Sequence, residues 1–531
     1  MAQAARGAPS ALGSYVQARL ADASGSEDKA IAAYRAALTA DPDALPVALR
    51  AYRQAVESGD KPLALQSARL LEAKSALPVD GDLLLLGESF AAADWKAAER
   101  RIGRIEESGT FGFLAPVLRG WLVVGTGRGD PLAAMSEGSK ELGSRPYVAE
   151  HSGLIMLAMK HDDISYLNTG ILKYGVLADE PRNLQLRLSL AQRLVEVRKQ
   201  EDALALLSGD DRIFQLARDS IAKRRPIGRS ITRPATGLSM LLARLSNELS
   251  RDNASGVSVT LGRLAVMADP SFTPSTLVLA RSLGAAGKHD AALALLNRVD
   301  KSLVSASLAN GLRLDILLSA DRFADALAMV KIRAENANAQ GSDIAQLAEV
   351  LARMDKPAEA AAVYARAIEQ WTGPAPWNLW LLKGREYDLA GDWAKAKPAL
   401  QQAVTLAPNE PSALNHLGYS MIVNGDPASG ALPLLERASR LRPNDAAISD
   451  SLGYALLRSG EVDRAIDILE SAARAEPSIA EISQHLGDAY WTAGRRVDAR
   501  YAWAAALEQA DEKERPGLLK RIDLGLDRAA Q

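Results

Sequence analysis

Five histidines punctuate the chain, at His151, His161, His289, His416 and His485. None belongs to an HExxH motif and no two stand at i and i+4, so the spacing that holds zinc in a helical metallohydrolase is missing. They read as exposed or packed helix positions. Cysteine is absent altogether, which excludes disulfides, thiolate zinc sites and cysteine nucleophiles. The run Gly125-Thr-Gly127-Arg-Gly129-Asp130 invites a phosphate-cradling reading, because backbone N–H groups in a glycine-rich turn can bind anions. It lacks the third glycine of a dinucleotide fingerprint, the lysine of a P-loop and a preceding strand, so it reads as a turn between helices. No serine–histidine–acid arrangement stands out either. The sequence points to no enzyme, no cofactor and no metal.

Two groups of residues suit binding rather than reaction. Lys223, Arg224, Arg225, Arg229 and Arg233 gather within one short stretch and could dock an acidic partner or phosphate. The plainer reading is a solvated loop, since Pro226, Gly228 and Pro234 forbid one continuous helix there. Trp371, Trp377, Trp380 and Trp393 cluster further on and read as packing between elements, with a peptide pocket as the lesser alternative. The net charge of −2 gives no global attraction to nucleic acid or to a membrane surface. No apolar run approaches the roughly 20 residues that span a bilayer, so membrane insertion is not expected.

The elements that must position these groups are set by a repeat. Glycines fall at Gly384, Gly418, Gly453 and Gly487, spaced 34, 35 and 34 residues apart. Behind them come a small residue (Ala396, Ala431, Ala465, Ala499), a large one (Leu400, Leu435, Leu469, Trp503) and another alanine (Ala403, Ala438, Ala472, Ala506). Three copies then reach Pro408, Pro443 and Pro477. A fixed period of this length marks paired helices stacked end to end. The small residues sit where two helices cross, the large ones fill the gaps, and proline follows the second helix because it cannot continue one.

This pattern resembles the tetratricopeptide repeat. The first copy carries the family's marks at Trp380, Gly384, Tyr387, Ala396, Leu400, Ala403 and Pro408; the fourth carries them at Leu486, Gly487, Tyr490, Ala499, Trp503 and Ala506. The resemblance implies an all-α solenoid of about 13–14 helix-turn-helix repeats with a C-terminal capping helix. Matching the phase along the chain gives the expected organisation: a disordered N-terminus (1–10), a partly degenerate N-terminal array (11–208), an irregular helical connection (209–272), a middle array (273–374), four well-matched repeats (377–513) and a capping helix (514–531). Outside the strong four, Ala30, Tyr34 and Ala37, then Ala280 and Ala292, then Ala348, Ala360 and Tyr364, hold the same offsets.

In this architecture the first helix of each repeat lines an inner, concave surface. The positions expected to face that groove are Arg385 and Asp388; Asn415 and Tyr419; Asp450, Tyr454 and Arg458; and Gln484, Asp488 and Trp491. Amides and acids at one-repeat spacing suit the main chain of an extended peptide, and tyrosines add rigid apolar area. Some family members clamp the terminal carboxylate of chaperone tails with lysine. The matching positions here are Leu381, Asn415, Asp450 and Gln484, with no lysine among them, which argues against that ligand.

The segments Leu414–Tyr419, Asp450–Tyr454 and His485–Asp488, followed by Gly494–Ala499, are similar to a proteobacterial subgroup of long periplasmic or outer-membrane tetratricopeptide lipoproteins. That group includes the adaptor of a carboxyl-terminal processing protease. The resemblance implies a non-enzymatic scaffold or adaptor that binds other proteins or extended peptides, placed in the periplasm or at the outer membrane, with leader or lipid anchor lying outside this chain. A cytoplasmic regulatory or assembly factor for an envelope polymer or secretion machine stays open beside it, as does the oligomeric state.

Overall fold

In the computed structural model the described residues are 10–136, 143–159, 181–209, 212–251, 255–299, 302–337 and 339–526. They form twenty-nine α-helices and no β-strand. The chain is an all-α solenoid of paired helices, divided into two compact units at Ala320 and Asp321. Nearly all of the expected disordered N-terminus, and the last residues of the capping segment, lie outside the described residues. Ser10 is described, and its side chain accepts a hydrogen bond from the Gly13 N–H to open the first helix.

The N-terminal unit begins as four helical pairs: α1 (Ala11–Ala23) with α2 (Glu27–Ala40), α3 (Leu45–Ser58) with α4 (Lys61–Ala73), α5 (Val79–Ala91) with α6 (Trp95–Glu107), and α7 (Ala115–Thr126) with α8 (Pro131–Ser136). Then follow α9 (Arg145–Ala158), α10 (Pro181–Glu196), α11 (Gln200–Leu206), α12 (Arg212–Ala222), α13 (Pro234–Arg251), α14 (Ser255–Ala268), α15 (Thr273–Ala285), α16 (His289–Leu296) and α17 (Leu303–Ser319). The local sequence sets the boundaries. Asp60 and Asp94 accept from the backbone N–H groups of Leu63 and Ala97, satisfying first-turn donors of α4 and α6. Among the described residues of 209–272 the longest stretch outside a helix is 223–233, between α12 and α13.

Helices α13 and α14 form a tight hairpin that folds back onto α3, α5 and α7. A Cβ on Gly237 would sit 2.2 Å from the Trp121 ring, and one on Gly87 would sit 3.3 Å from Ala268, so both glycines set how closely the hairpin seats. Buried serines line the contact of α13, α14 and α15: Ser239 hydrogen-bonds Ser275 at 2.7 Å, and Ser258 hydrogen-bonds Ser282 at 2.8 Å. Their small side chains let three backbones converge, and their hydroxyls stay paired. At the rim, Arg244 pairs with the buried Glu150, Tyr147 donates to Glu248 at 2.5 Å, and the Lys61 ammonium donates to the Met267 carbonyl at 2.6 Å.

The C-terminal unit is a plainer stack. It runs α18 (Phe323–Ala334), α19 (Gly341–Arg353), α20 (Pro357–Glu369), α21 (Trp377–Leu389), α22 (Trp393–Leu406), α23 (Pro411–Val423), α24 (Ala428–Leu441), α25 (Ala446–Ser459), α26 (Val462–Ala475), α27 (Ala480–Thr492), α28 (Arg496–Gln509) and α29 (Arg515–Leu524). Pro408, Pro443 and Pro477 each lie just past the end of a second helix. The repeat residues occupy the helix crossings. A Cβ on Gly384, Gly418, Gly453 or Gly487 would fall 2.6, 2.6, 2.5 or 2.4 Å from Leu400, Leu435, Leu469 or Trp503 respectively. Each of those four large side chains is fully buried, as are the alanines beside them. Helix α29 closes the stack, with Leu518 buried against Trp491 and Trp503.

These contacts set two expectations for stability. Alanine is the better helix former by about 0.5–1 kcal/mol, but over-packing a filled crossing costs about 1–3 kcal/mol. Gly453→Ala should therefore lower the urea midpoint of the C-terminal unit, and should cost less in a Leu469→Ala background, where the crossing is no longer filled. In the N-terminal unit, Arg244→Ala strands Glu150 without its cation. Removing one partner of a buried pair costs about 3 kcal/mol or more, so chemical denaturation of this variant should show a loss of that order.

Candidate functional site

In the C-terminal unit the first helices α21, α23, α25 and α27 pack on their own partners and also on the first helix of the next repeat. That double contact puts them on the inner layer. The face they share carries a ladder of rings. Tyr419 of α23 lies 6.0 Å from Tyr454 of α25, and Tyr454 stacks on His485 of α27 at 4.3 Å with the rings 20° apart. The Tyr419 hydroxyl donates to the Glu481 carboxylate. The Nδ1 of His485 lies 2.9 and 3.0 Å from the two oxygens of Asp450. Burial alone would lower the imidazole's pKa. The hydrogen bond and charge of Asp450, with the charges of Glu481 and Asp488, outweigh it and hold the value above the usual histidine range.

The remaining groove positions divide by what they touch. Asp388 accepts from the Ser420 hydroxyl at 2.6 Å and the Asn424 amide at 2.8 Å, tying α21 to α23. Arg385 is exposed and lays its guanidinium on buried Glu386. Arg458 lies in the last turn of α25. Asn415 and Gln484 are half-buried, and the Asn415 side-chain oxygen is shut from solvent without a hydrogen-bond donor among the described residues. Asp488 and Trp491 turn into the junction with the capping helix. Asp488 accepts from the Trp503 indole at 2.8 Å and from Arg521 at 3.2 Å, while burial pushes its carboxyl above the ordinary range. Trp491 packs on Trp503, lies under Arg496, and leaves no room for a side chain at Gly525. Asp388, Asp488 and Trp491 thus hold the stack together. Tyr419, Asp450 and Tyr454 converge on one spot with Glu481 and His485.

Glu481 and His485 are missing from the expected groove positions. Their signal was present: they stand one helical turn apart on α27, and Asp450 occupies the facing turn of α25 one repeat earlier. Reading each histidine singly hides that relation.

The basic group is split. Lys223, Arg224 and Arg225 are exposed beyond the C-terminal end of α12, where cations favour the helix dipole, and no ion pair to them occurs among the described residues. Arg229 donates to Ser271 at 3.1 Å. Arg233 pairs with Asp269 at 3.0 Å, and Asp269 also receives Thr236 and Ser271. The Gly125–Asp130 run is the turn between α7 and α8: Gly127 ends α7 in the left-handed conformation, and Asp130 accepts from the Leu132 N–H. His151 is sealed in the N-terminal core, where the Trp121 indole donates to its Nδ1 at 2.9 Å; burial lowers its pKa to about 3. His161 lies outside the described residues.

Residues 346–411, 381–446 and 451–515 match one profile described as Tetratricopeptide repeat, and residues 14–44 match another of the same description. These stretches of the chain are tetratricopeptide repeats. Proteins of this kind act as protein-interaction scaffolds, and no helix among the described residues is long and apolar enough to cross a membrane. No curated protein gives a significant match. Among solved structures the repeat protein is similar to TTC0263, a thermophilic TPR protein in Thermus thermophilus, at 22% identity over 36% of this chain and 98% of that one, TM-score 0.30. It is also similar to YrrB, a TPR protein with an unusual peptide-binding site, at 21% identity over 37% of this chain and 97% of that one, TM-score 0.28. The Cut9–Hcn1 hetero-tetramer of the APC/C gives 15% identity over 96% of both chains, TM-score 0.38.

The two sealed histidines give opposite pH responses. His485 has a raised value in the folded chain, so its contribution is complete below the ordinary value of 6.5 and is lost as pH rises through the folded one. His151 is depressed to about 3, so its contribution is present above 6.5 and is lost as pH falls toward 3. Hydrogen-exchange protection should therefore fall in α27 on going above pH 6.5 and in α9 on going below it. Asp450→Asn should remove the dependence in α27 and leave α9 unchanged.

Proposed function

We infer that this repeat protein holds an extended segment of a partner protein along the inner face of α21, α23, α25 and α27, and acts as a non-enzymatic adaptor. One observation carries the reading. Asn415 and Gln484 present half-buried amides at the same repeat position of α23 and α27, beside a tyrosine ladder at one-repeat spacing. Amides on that face suit the main chain of an extended peptide, while Tyr419 and Tyr454 supply rigid apolar area. The first helices α3, α5 and α7 of the N-terminal unit carry the chain's own hairpin, a cover that α21, α23, α25 and α27 do not have among the described residues.

The adaptor role in the cell envelope, bringing a protease together with its substrates, rests on the sequence similarity of residues 377–510. Lys223, Arg224 and Arg225 offer a second contact for an acidic partner. Subcellular fractionation of the native host tests the location. The peptide reading is tested by placing a photo-crosslinking residue at Gln484, identifying the captured segment, and measuring its affinity by anisotropy. Asn415→Ala and the pair Tyr419→Ala, Tyr454→Ala should each weaken binding at least about tenfold, the loss of roughly 1.4 kcal/mol, at a temperature where circular dichroism shows each variant still folded. Unaltered affinity in both variants would rule the groove out.

A further inference from the structure

Asp450, Glu481 and His485 form a cluster that the peptide reading does not use. Glu481 and His485 stand at i and i+4 on α27, the spacing that brings two side chains to one face of a helix. Asp450 reaches them from α25. One donor atom from each of the three lies within 4.8 Å of both others. We propose that this cluster is a binding site for one divalent transition-metal ion, with Zn2+ as its best fit.

The donor chemistry favours that class. One imidazole nitrogen and two carboxylates suit zinc, cobalt, nickel or manganese. Calcium wants six to eight oxygens, which three side chains including a histidine cannot supply. The two carboxylate charges cancel those of the ion. Three protein ligands leave a fourth position for water on the groove side, as in open zinc sites.

The geometry is close to assembled. Bonds of about 2.0–2.2 Å at a tetrahedral angle place two ligand atoms about 3.4 Å apart. The His485 Nδ1 and the Asp450 oxygens already stand at 2.9–3.0 Å. Both residues are more than nine-tenths buried, so their positions are fixed by packing, whereas Glu481 is exposed and can swing inward. The supports are also in place. Tyr454 stacks on the imidazole and fixes its plane, and the Tyr419 hydroxyl holds the Glu481 carboxylate. Orienting partners of this kind tune metal affinity by about 10–100-fold.

The test uses the full chain stripped with chelator and titrated with Zn2+ alone by calorimetry, with Co2+ absorption as the spectroscopic readout. One equivalent should bind, and Co2+ should give a d–d spectrum of low symmetry. His485→Gln and Glu481→Gln should each weaken that equivalent at least tenfold. Glu481 is on the surface, so its variant keeps the fold even where the His485 change disturbs it. Tyr419→Phe should weaken binding less than either. No bound equivalent, or one whose affinity is unchanged in Glu481→Gln and His485→Gln, would overturn the site. A chain that captures its peptide but takes no zinc refutes only the metal, and one that takes zinc but no peptide refutes only the groove.

Discussion

The C-terminal unit depends on a single kind of contact: a glycine with no side chain, pressed against a large buried residue on the partner helix. At each of the four crossings between α21 and α28 even one added carbon would overlap leucine or tryptophan. Helix propensity opposes glycine at these positions, and packing retains it. Everything on the inner face follows from that choice. The crossing sets the rotation of each first helix, and the rotation decides which residues meet their counterparts one repeat away. Tyr454 lies on His485, and Asp450 beside it, because three successive first helices share one orientation.

The same device is used differently in the N-terminal unit. There Gly87 and Gly237 admit a hairpin from later in the chain. The serine-lined seam of α13, α14 and α15 lets that hairpin pack as closely as a repeat would, with each hydroxyl paired. The N-terminal unit thus covers α3, α5 and α7 with its own residues. Arg244, Glu150, Tyr147 and Glu248 hold the covered unit at its rim, where polar groups would otherwise be stranded by the approach of the hairpin.

The sequence made the repeat legible because the period is carried by residue size. Gly453, Ala465 and Leu469 recur at fixed offsets in each copy, and the structure puts them at crossings. The proline boundaries were equally readable, since a proline acts within a few residues. The hairpin was not readable. Its docking joins positions as distant as Lys61 and Met267, and the serines that enable it look like ordinary helix residues. The cluster at His485 was hidden for a related reason. Its members sit at different offsets in adjacent repeats, so no motif contains them, and only the stacking of α25 on α27 brings them together. Of the expected groove positions, Asp488 and Trp491 share the face in sequence but are drawn into the end cap by Arg521, Arg496 and α29.

The return of α13 and α14 to α3 and α5 bears on how the chain acquires its shape during synthesis. A stack of neighbours can grow one pair at a time, each new pair nucleating on the last, because every contact is close in sequence. The C-terminal unit is built that way. In the N-terminal unit the first helices emerge long before the hairpin that covers them. They must wait through some two hundred residues of elongation, with apolar surface uncovered in the meantime. Contacts of that separation slow folding and expose intermediates to association. The opening third of this protein is therefore the part that most needs a chaperone while the ribosome is still at work.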